Sequence, residues 1–444
     1  MPQGRSDVVV VGAGIAGLTA AYRAQQAGLS VVVLEREGHV GGRMRTTEWE
    51  GFRLDPGAQF FTGGDVYLLD MVEQLGLSDQ VHARVDGGLY FATLRDGTIH
   101  PVDFLSIASY LRWKGVSLAA RLSMLKLLPH LMRRMRSNVY EPDQSPGRDD
   151  EDFEQFLRGR ISAEMYEYWA HPTFQTNCSY SGPDLSKKAL LALLAGHLGT
   201  RSYRFDRGMG TLPEALANRV TVRLGCAVHR IEHDGTGSTI HYREGDAEHN
   251  LHADRVVVAT PGHRVLDLLE RPRPQWTKFF STVRYPSVIT QYHVFEPPAD
   301  FDPRTAPADG VMIPDPEAGY TISFVYFVTQ HDGRWLAMTE PKAHRSDLAE
   351  DVETAAHRSW RDVERIYPEL TGTRIASTHY AWDGKVPAFP VGYLDALARF
   401  RADPAEGPLY FCGDYLSGPG TGAALYTGWK AADRMLAATT QDSV

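Results

Sequence analysis

Cysteine is scarce in this chain of 444 residues: Cys178, Cys226 and Cys412 are odd in number and far apart. That spacing excludes a disulfide framework and the close pairs of structural metal sites, and no bound metal is expected. No run of about 18 apolar residues exists to cross a bilayer. The segment Met1 to Ser6 passes directly into a strand, which leaves no room for a signal peptide, so a cytoplasmic protein is expected. Positive charge is not in excess either: 46 Lys and Arg stand against 55 Asp and Glu, a net charge of -9 that opposes binding to nucleic acid. Repeats and low-complexity stretches are absent, which excludes solenoids and disordered linkers.

What is present is an ordinary globular composition, 43% apolar and 23% charged, over about twice the length of a single domain. Two intertwined domains are expected. Asp7 to Val11 is a short β-branched run, followed by Gly12-Ala13-Gly14-Ile15-Ala16-Gly17, a helical stretch from Leu18 to Gln26 that stops at Gly28, and a second strand, Val31 to Leu34, ending in Glu35. This is the βαβ pattern of a dinucleotide cradle. Gly12 permits the tight turn, Gly14 admits a pyrophosphate, Gly17 lets the helix pack on the strand, and the free amides at the helix start hold the anion. Glu35, with Arg36 beside it, is placed to accept from a ribose diol.

The sequence that follows separates FAD from NAD. Gly41-Gly42-Arg43 offers a second glycine pair and a fixed positive fork for phosphate. Phe52 to Phe61 reads as a strand leading into the small-residue turn Gly57-Ala58-Gln59, suited to lying against a flat ring. From about 66 to 200 the pattern is mostly helical, with a capped helix starting near Asp149 or Asp150. A helix through Asn218 and strands at 220–224, 227–232, 239–242 and 254–258 return to the nucleotide domain. Beyond them come strands at 288–295 and 320–328, a polar helix from Ser346 to Tyr367, and a last buried strand, Leu409 to Gly413. The expected fold is α/β with α+β: a Rossmann-like FAD-binding domain (1–65, 203–265, 376–444) interleaved with a mixed sheet-and-helix substrate domain (66–202, 266–375), helical over about 100–200.

Over nearly its whole length the chain resembles the flavin amine oxidase superfamily, whose relatives include monoamine and polyamine oxidases, protoporphyrinogen oxidase and carotenoid-type desaturases. The resemblance rests on the glycine motif with Glu35, the Gly41-Gly42-Arg43 doublet, Gly208-Met209-Gly210-Thr211-Leu212, the Val228 strand, Ala259-Thr260-Pro261, Gly413-Asp414 and Ala424 to Gly428. It implies that Glu35 binds the adenosine ribose, Arg43 the diphosphate, Val228 the adenine through its backbone, and Asp414 the ribityl or phosphate end. It also implies that Thr421 and Gly422 open a helix aimed at the flavin, where its amides meet developing negative charge.

Departures from the family pattern narrow the activity. Ala423 replaces a glycine, and Gly420 stands where monoamine oxidases carry one ring of an aromatic cage. The family's lysine that holds a water at flavin N5 should fall near Ser287 to Thr290, where no lysine stands, which argues against a simple aliphatic monoamine oxidase. The cysteine some relatives join to FAD is also missing, since Cys412 sits in the strand before Gly413, so the FAD is expected to be noncovalent. In Tyr380 to Gly392, most similar to the protoporphyrinogen oxidase form, Trp382 and Phe389 face the isoalloxazine or substrate, or else are aromatic core. His171, with Gln175 and Tyr180, is a candidate for orientation and proton handling, against the plainer reading of a structural histidine. Gln59 and Tyr426 are candidates because the family motif sets them beside the ring.

The apolar stretch Leu118 to Leu128, followed by His130, Arg133, Arg134 and Arg136, has two readings: a peripheral membrane contact, as the resemblance to protoporphyrinogen oxidases implies, or a helix covering the substrate cavity. The leading functional reading is an FAD-dependent oxidase that takes a C–N bond of an amine, amide or amino-acid-derived metabolite of secondary metabolism to an imine, with O2 as acceptor and H2O2 released, followed by hydrolysis or cyclisation. The alternatives are a C–C desaturase or aromatising oxidase, and a redox-inactive flavin-holding protein. The expected partners are a small-molecule substrate and O2, the protein being a monomer or homodimer.

Overall fold

A computed structural model describes residues 5–83, 90–103, 106–134, 138–234, 237–301, 310–317, 319–342, 350–403 and 407–441. Two seven-stranded sheets organise it. The first is built on three valine-rich parallel strands, Arg5–Val11, Val31–Leu34 and the end of Ala247–Val258. Their near-continuous apolar sequence is what a strand covered on both faces requires. Thr221–Arg223 extends one edge in parallel, Cys226–His233 and Ser238–Glu244 extend the other antiparallel, and Leu409–Phe411 pairs with the end of Ala247–Val258. The helices Ile15–Gln26 and Thr421–Gln441 pack together at this sheet. Their approach is close because Gly428 lies against the Ala16 carbonyl: a Cβ on Gly428 would fall 2.0 Å from that oxygen.

The second sheet runs Arg374–Trp382, Val288–Phe295, Arg334–Pro341, Ile322–His331, Gly310–Met312, Tyr90–Arg95, Thr98–Asp103. One face packs Phe295, Val325, Phe327 and Ala337 against Trp360 and Val363 of the helix Val352–Ile366. The other carries Tyr292, Met338 and Phe324 toward Phe52 and Leu54, and thereby toward the nucleotide domain.

The structure revises several boundaries. Within the mostly helical stretch 66–200, Val81–Ala83, Tyr90–Arg95 and Thr98–Asp103 are strands. The segment expected to return to the first domain at 376 instead begins inside Arg374–Trp382, which pairs with Val288–Phe295 in the second sheet. The helix expected from Asp149 or Asp150 starts one turn later: Asp152 caps it by accepting from the Gln155 amide, while Asp149 is buried and accepts from the Leu394 amide. Ser346, the expected start of the polar helix, lies outside the described residues, as does Arg136. Among the described residues no helix is long and apolar enough to cross a membrane, and no cluster of metal-ligating side chains exists.

Candidate active site

The first turn has the geometry a pyrophosphate needs. Gly12 takes φ +105°, a left-handed conformation that favours glycine, and a Cβ there would press on the Ala259 carbonyl at 3.1 Å. Gly17 is fixed by packing, since its Cβ would lie 2.1 Å from the Gly12 oxygen. Gly14 is different: its backbone is ordinary and no protein atom lies within 4 Å of where its Cβ would be. Neither conformation nor packing demands a glycine there, so the open space in front of it is what the residue preserves. Gly41 bridges to Gly14, Gly42 comes up beside it, and the Ala58 amide donates to the Arg43 carbonyl at 2.9 Å. Glu35 is buried and accepts from the amides of Ala13 (2.7 Å) and Glu37 (3.0 Å), which fixes the carboxylate at the end of its strand with lone pairs to spare. Arg36 is exposed and pairs with Glu37. The residues present therefore fit a dinucleotide.

Arg43 does not extend freely toward that space. It makes a bidentate pair with Asp414 (2.5 and 3.1 Å) and donates to the Lys385 carbonyl at 3.0 Å, while the Tyr285 hydroxyl donates to Asp414 at 2.9 Å. The carboxylate beside it holds the guanidinium pKa above its ordinary value, and burial pushes the Tyr285 phenol well up. Arg43 thus ties the second glycine turn to both C-terminal segments of the site.

The second-sheet face that looks toward the nucleotide domain supplies the remaining wall. Thr290 stands opposite Tyr380 and Val288 opposite Trp382, and Tyr292 stands opposite Met338, so these side chains share a face. Trp382 donates its indole N–H to the Pro56 carbonyl at 3.0 Å, the Tyr292 hydroxyl donates to the Asp55 carbonyl at 2.8 Å, and the Gln59 amide meets the Met338 sulfur at 2.7 Å. The turn 56–59 is thereby laid across the sheet. On the same face the buried Glu340 accepts from the Thr290 hydroxyl at 2.8 Å and pairs with the Lys385 ammonium, which also lies 3.3 Å from Thr290 Oγ1. The strand indeed lacks a lysine at 287–290, but an ammonium reaches Thr290 from the loop after the next strand. The absence of a lysine at 287–290 therefore does not leave Thr290 without an ammonium.

Comparison with known proteins agrees with this geometry. The family model described as flavin containing amine oxidoreductase matches residues 15–436. The chain belongs to this family. It is accordingly a flavoprotein oxidoreductase, with the amine oxidase fold. Protoporphyrinogen oxidase 2 of Arabidopsis thaliana is 21% identical over 97% of this chain and 93% of its own. The flavin-dependent L-tryptophan oxidase RebO of Lentzea aerocolonigenes is 26% identical over 94% of each. Among solved structures, cyclohexylamine oxidase from Brevibacterium oxydans superposes with a TM-score of 0.78 at 18% identity, covering 98% of this chain and 99% of that one.

Within the family frame the other sequence-derived candidates fall into two groups. Gly413 donates its amide to Thr427 at 2.9 Å and presents Asp414 to Arg43; Thr421 begins the last helix; Val228 sits at a bulge between Cys226–His233 and Ser238–Glu244. Gly422 and Ala16 are packing positions, since a Cβ on Gly422 would lie 2.1 Å from Asp65 Oδ1 and Ala16 seats Gly428. Tyr426 is committed elsewhere: fully buried, it stacks on Tyr140 at 4.8 Å and donates to Glu141 at 2.9 Å. His171 begins the helix His171–Cys178, 3.7 Å from Asp315 and against the Tyr166 ring, so its contacts are not with the sheet face of Trp382 and Lys385. Phe389 is buried against Tyr393, and Tyr180 donates to the Pro387 carbonyl, fixing the loop between Lys385 and Phe389. Lys385 and Glu340 went unread in the sequence because their partnership crosses three strands and a loop.

The apolar segment 118–134 is helical throughout, with a 3-10 stretch, Met124–Leu127, between Leu118–Ser123 and Leu128–Arg134. Ala120, Ser123 and Leu127 turn inward, whereas Leu118 (60% exposed), Leu122, Leu125 and Met132 (69%) face solvent.

Proposed function

We propose that the chain is a noncovalent FAD oxidase that dehydrogenates the C–N bond of an amine, amide or amino-acid-derived substrate to an imine, with O2 as acceptor and H2O2 released. Bound FAD would supply the two-electron acceptor. The observation that carries the reading is the buried Lys385–Glu340 pair with Thr290, on the face where Trp382, Tyr380 and Gln59 converge. Burying a charge pair costs several kcal/mol in desolvation, which a wall meant only for a polyene or a porphyrinogen framework would not need. Glu340 is suited to hold a substrate nitrogen, and Lys385 brings an ammonium to Thr290, at the end of the stretch 287–290 where the family lysine was expected. The turn 56–59 and Trp382, locked by hydrogen bonds, orient the substrate and keep water out. The 26% identity to an L-tryptophan oxidase supports an amino-acid-like substrate.

Glu35, Gly12, Gly14 and Gly42 would hold the dinucleotide, with Arg43 acting through Asp414. The Cys412 thiol is fully buried and its pKa is pushed up by desolvation, which suits a noncovalent cofactor. Anaerobic titration of the FAD-loaded protein with amines, amino acids, porphyrinogens and polyenes tests the reading. Bleaching of the flavin band by a nitrogen compound and recovery with air is expected; bleaching by carbon-framework substrates alone would overturn it.

The solvent-facing Leu118, Leu122, Leu125 and Met132 lie among the exposed cations Arg112, Lys114, Lys126 and Arg133, which supports a peripheral contact with an anionic membrane surface.

A further inference from the structure

The helix His171–Cys178 packs on the strands Gly310–Met312 and Ile322–His331, and its Phe174 shares an apolar cluster with Met312. Met312 stands opposite Phe324 and Phe324 opposite Glu340; Glu340 accepts from Thr290, which stands opposite Tyr380. Residues directly opposite one another share a face, so these five side chains form one row across the second sheet, on the face that carries Lys385.

His171, Gln175 and Cys178 stand at i, i+4 and i+7, hence on one side of the helix. Contacts fix both ends of that side. His171 Nδ1 lies 3.7 Å from Asp315, just beyond Gly310–Met312, and the Cys178 thiol, pushed up to about 12 by burial, feels the opposing pull of the Lys385 ammonium. Gln175 is midway between them, over the row.

Gln175 is only 5% exposed, and among the described residues neither the oxygen nor the nitrogen of its amide has a hydrogen-bond partner. Other polar side chains of the same helix turn back onto the backbone: Thr173 donates to the Trp169 carbonyl at 2.5 Å, and Asn177 to the Thr173 carbonyl at 2.8 Å. A buried amide left unpaired is costly, so this one calls for a partner from outside the fold.

The amide itself defines that partner. It offers N–H donors and a carbonyl acceptor side by side and carries no charge. The charges nearby, Lys385 and Glu340, satisfy each other. A carboxylate would accept from the N–H but set its second oxygen against Oε1, whereas a carboxamide or lactam meets both ends.

We propose that Gln175 selects the substrate by pairing with a neutral carboxamide or lactam group on it. The proposal rests on the oxidase reading above and names its substrate class: an amine that carries a neutral amide in place of a free carboxylate, with Glu340 holding the nitrogen to be oxidised.

Calorimetric titration of the FAD-loaded protein with phenylacetamide and with phenylacetate tests it without turnover, since neither has a hydrogen-bearing carbon on an amine nitrogen. Phenylacetamide should bind roughly tenfold more tightly, the ratio of one net hydrogen bond. Gln175→Met should erase that preference by weakening phenylacetamide alone, and its melting temperature should not fall, because no paired group is removed. A glutamine that served only the fold would give the opposite result, a lower melting temperature with the preference intact. Equal binding of the two probes to the natural protein, or tighter binding of phenylacetate, would also overturn the assignment. Should Gln175→Met not fold, Gln175→Asn, which draws the amide back by one methylene, should lose the preference, and its retention would overturn the assignment. The oxidase reading fails separately: in that case phenylacetamide binds as expected but no amine bleaches the flavin.

Discussion

The Lys385 ammonium lies 3.3 Å from the hydroxyl of Thr290, although the two residues are 95 positions apart and sit on different sides of a strand pair. Lys385 follows the strand Arg374–Trp382 by three residues, and the antiparallel register that sets Val288 opposite Trp382 returns its side chain over Thr290. Glu340, from the strand on the other side of Val288–Phe295, completes the group.

Replacing Lys385 should separate stability from catalysis. Lys385→Met leaves Glu340 buried with only Thr290 as partner, which should destabilise the fold by about 3–5 kcal/mol. The double variant Lys385→Met/Glu340→Gln should recover most of that loss, because a neutral amide can still accept from Thr290. If Lys385 handles a proton or positions substrate, kcat should fall roughly a hundredfold in both variants. Thermal melts and stopped-flow reduction read the two effects; a double variant that regains full kcat would reduce Lys385 to a structural role.

Gly14 and Gly17 are three residues apart yet should fail in different ways. Gly17→Ala places a methyl 2.1 Å from the Gly12 carbonyl and 2.9 Å from Ala259 Cβ, so helix and strand must part and the melting temperature should fall even without cofactor. In Gly14→Val the added Cβ meets no atom within 4 Å outside its chain neighbours, so the apoprotein should melt close to the natural one while FAD retention is lost. Flavin absorbance after desalting, beside apoprotein melts, distinguishes them. Equal FAD retention in Gly14→Val would show that the open space is not the pyrophosphate site.

The geometry of the first glycine turn was legible in the sequence because it is local. Strand, turn, helix and acid occupy some thirty residues, and each glycine has its own physical reason, so Gly12, Gly14, Gly17 and Glu35 could be placed by spacing alone. Gly422 carries a constraint the motif did not announce: Asp65, from the far end of the nucleotide domain's first segment, packs where its Cβ would stand. The Lys385–Glu340–Thr290 group was not legible because it is made by register. Glu340, Thr290 and Lys385 come together only once three strands are aligned, and no periodicity within any one of them announces the partner. Tyr426 carries a contact that motif order did not announce, since its hydroxyl donates to Glu141.

The exposed apolar face at 118–134 should bind anionic vesicles. Replacing Leu118, Leu122 and Met132 together with Ser removes apolar area already in water, so the fold should keep its stability within about 0.5 kcal/mol per site. Co-sedimentation with phosphatidylserine vesicles should be strong for the natural chain, weak for the triple variant, and reduced by salt because the surrounding cations contribute. No sedimentation of the natural chain would leave the face to some other use.

Asp55 should make stability depend on pH in an unusual direction. Its carboxyl is pushed up to about 6 from 3.8 by burial, which outweighs the hydrogen bonds it accepts from the Thr46 hydroxyl (2.6 Å) and the Met209 amide (3.0 Å). The folded chain therefore binds this proton more tightly than the unfolded chain between pH 4 and 6, and the contribution of Asp55 to stability falls as pH rises through that window, then stays constant above it. The gap from 3.8 to about 6 corresponds to about 3 kcal/mol at most. Asp55→Asn keeps an oxygen to accept from Thr46 and Met209 but has no charge to bury. Its melting temperature should match the natural chain near pH 4 and exceed it increasingly up to about pH 6.5, with a fixed difference beyond. Parallel melting curves across that range would show that ionised Asp55 is as comfortable in the fold as in water, and that the hydrogen bonds joining turn 208–210 to the nucleotide domain outweigh its burial.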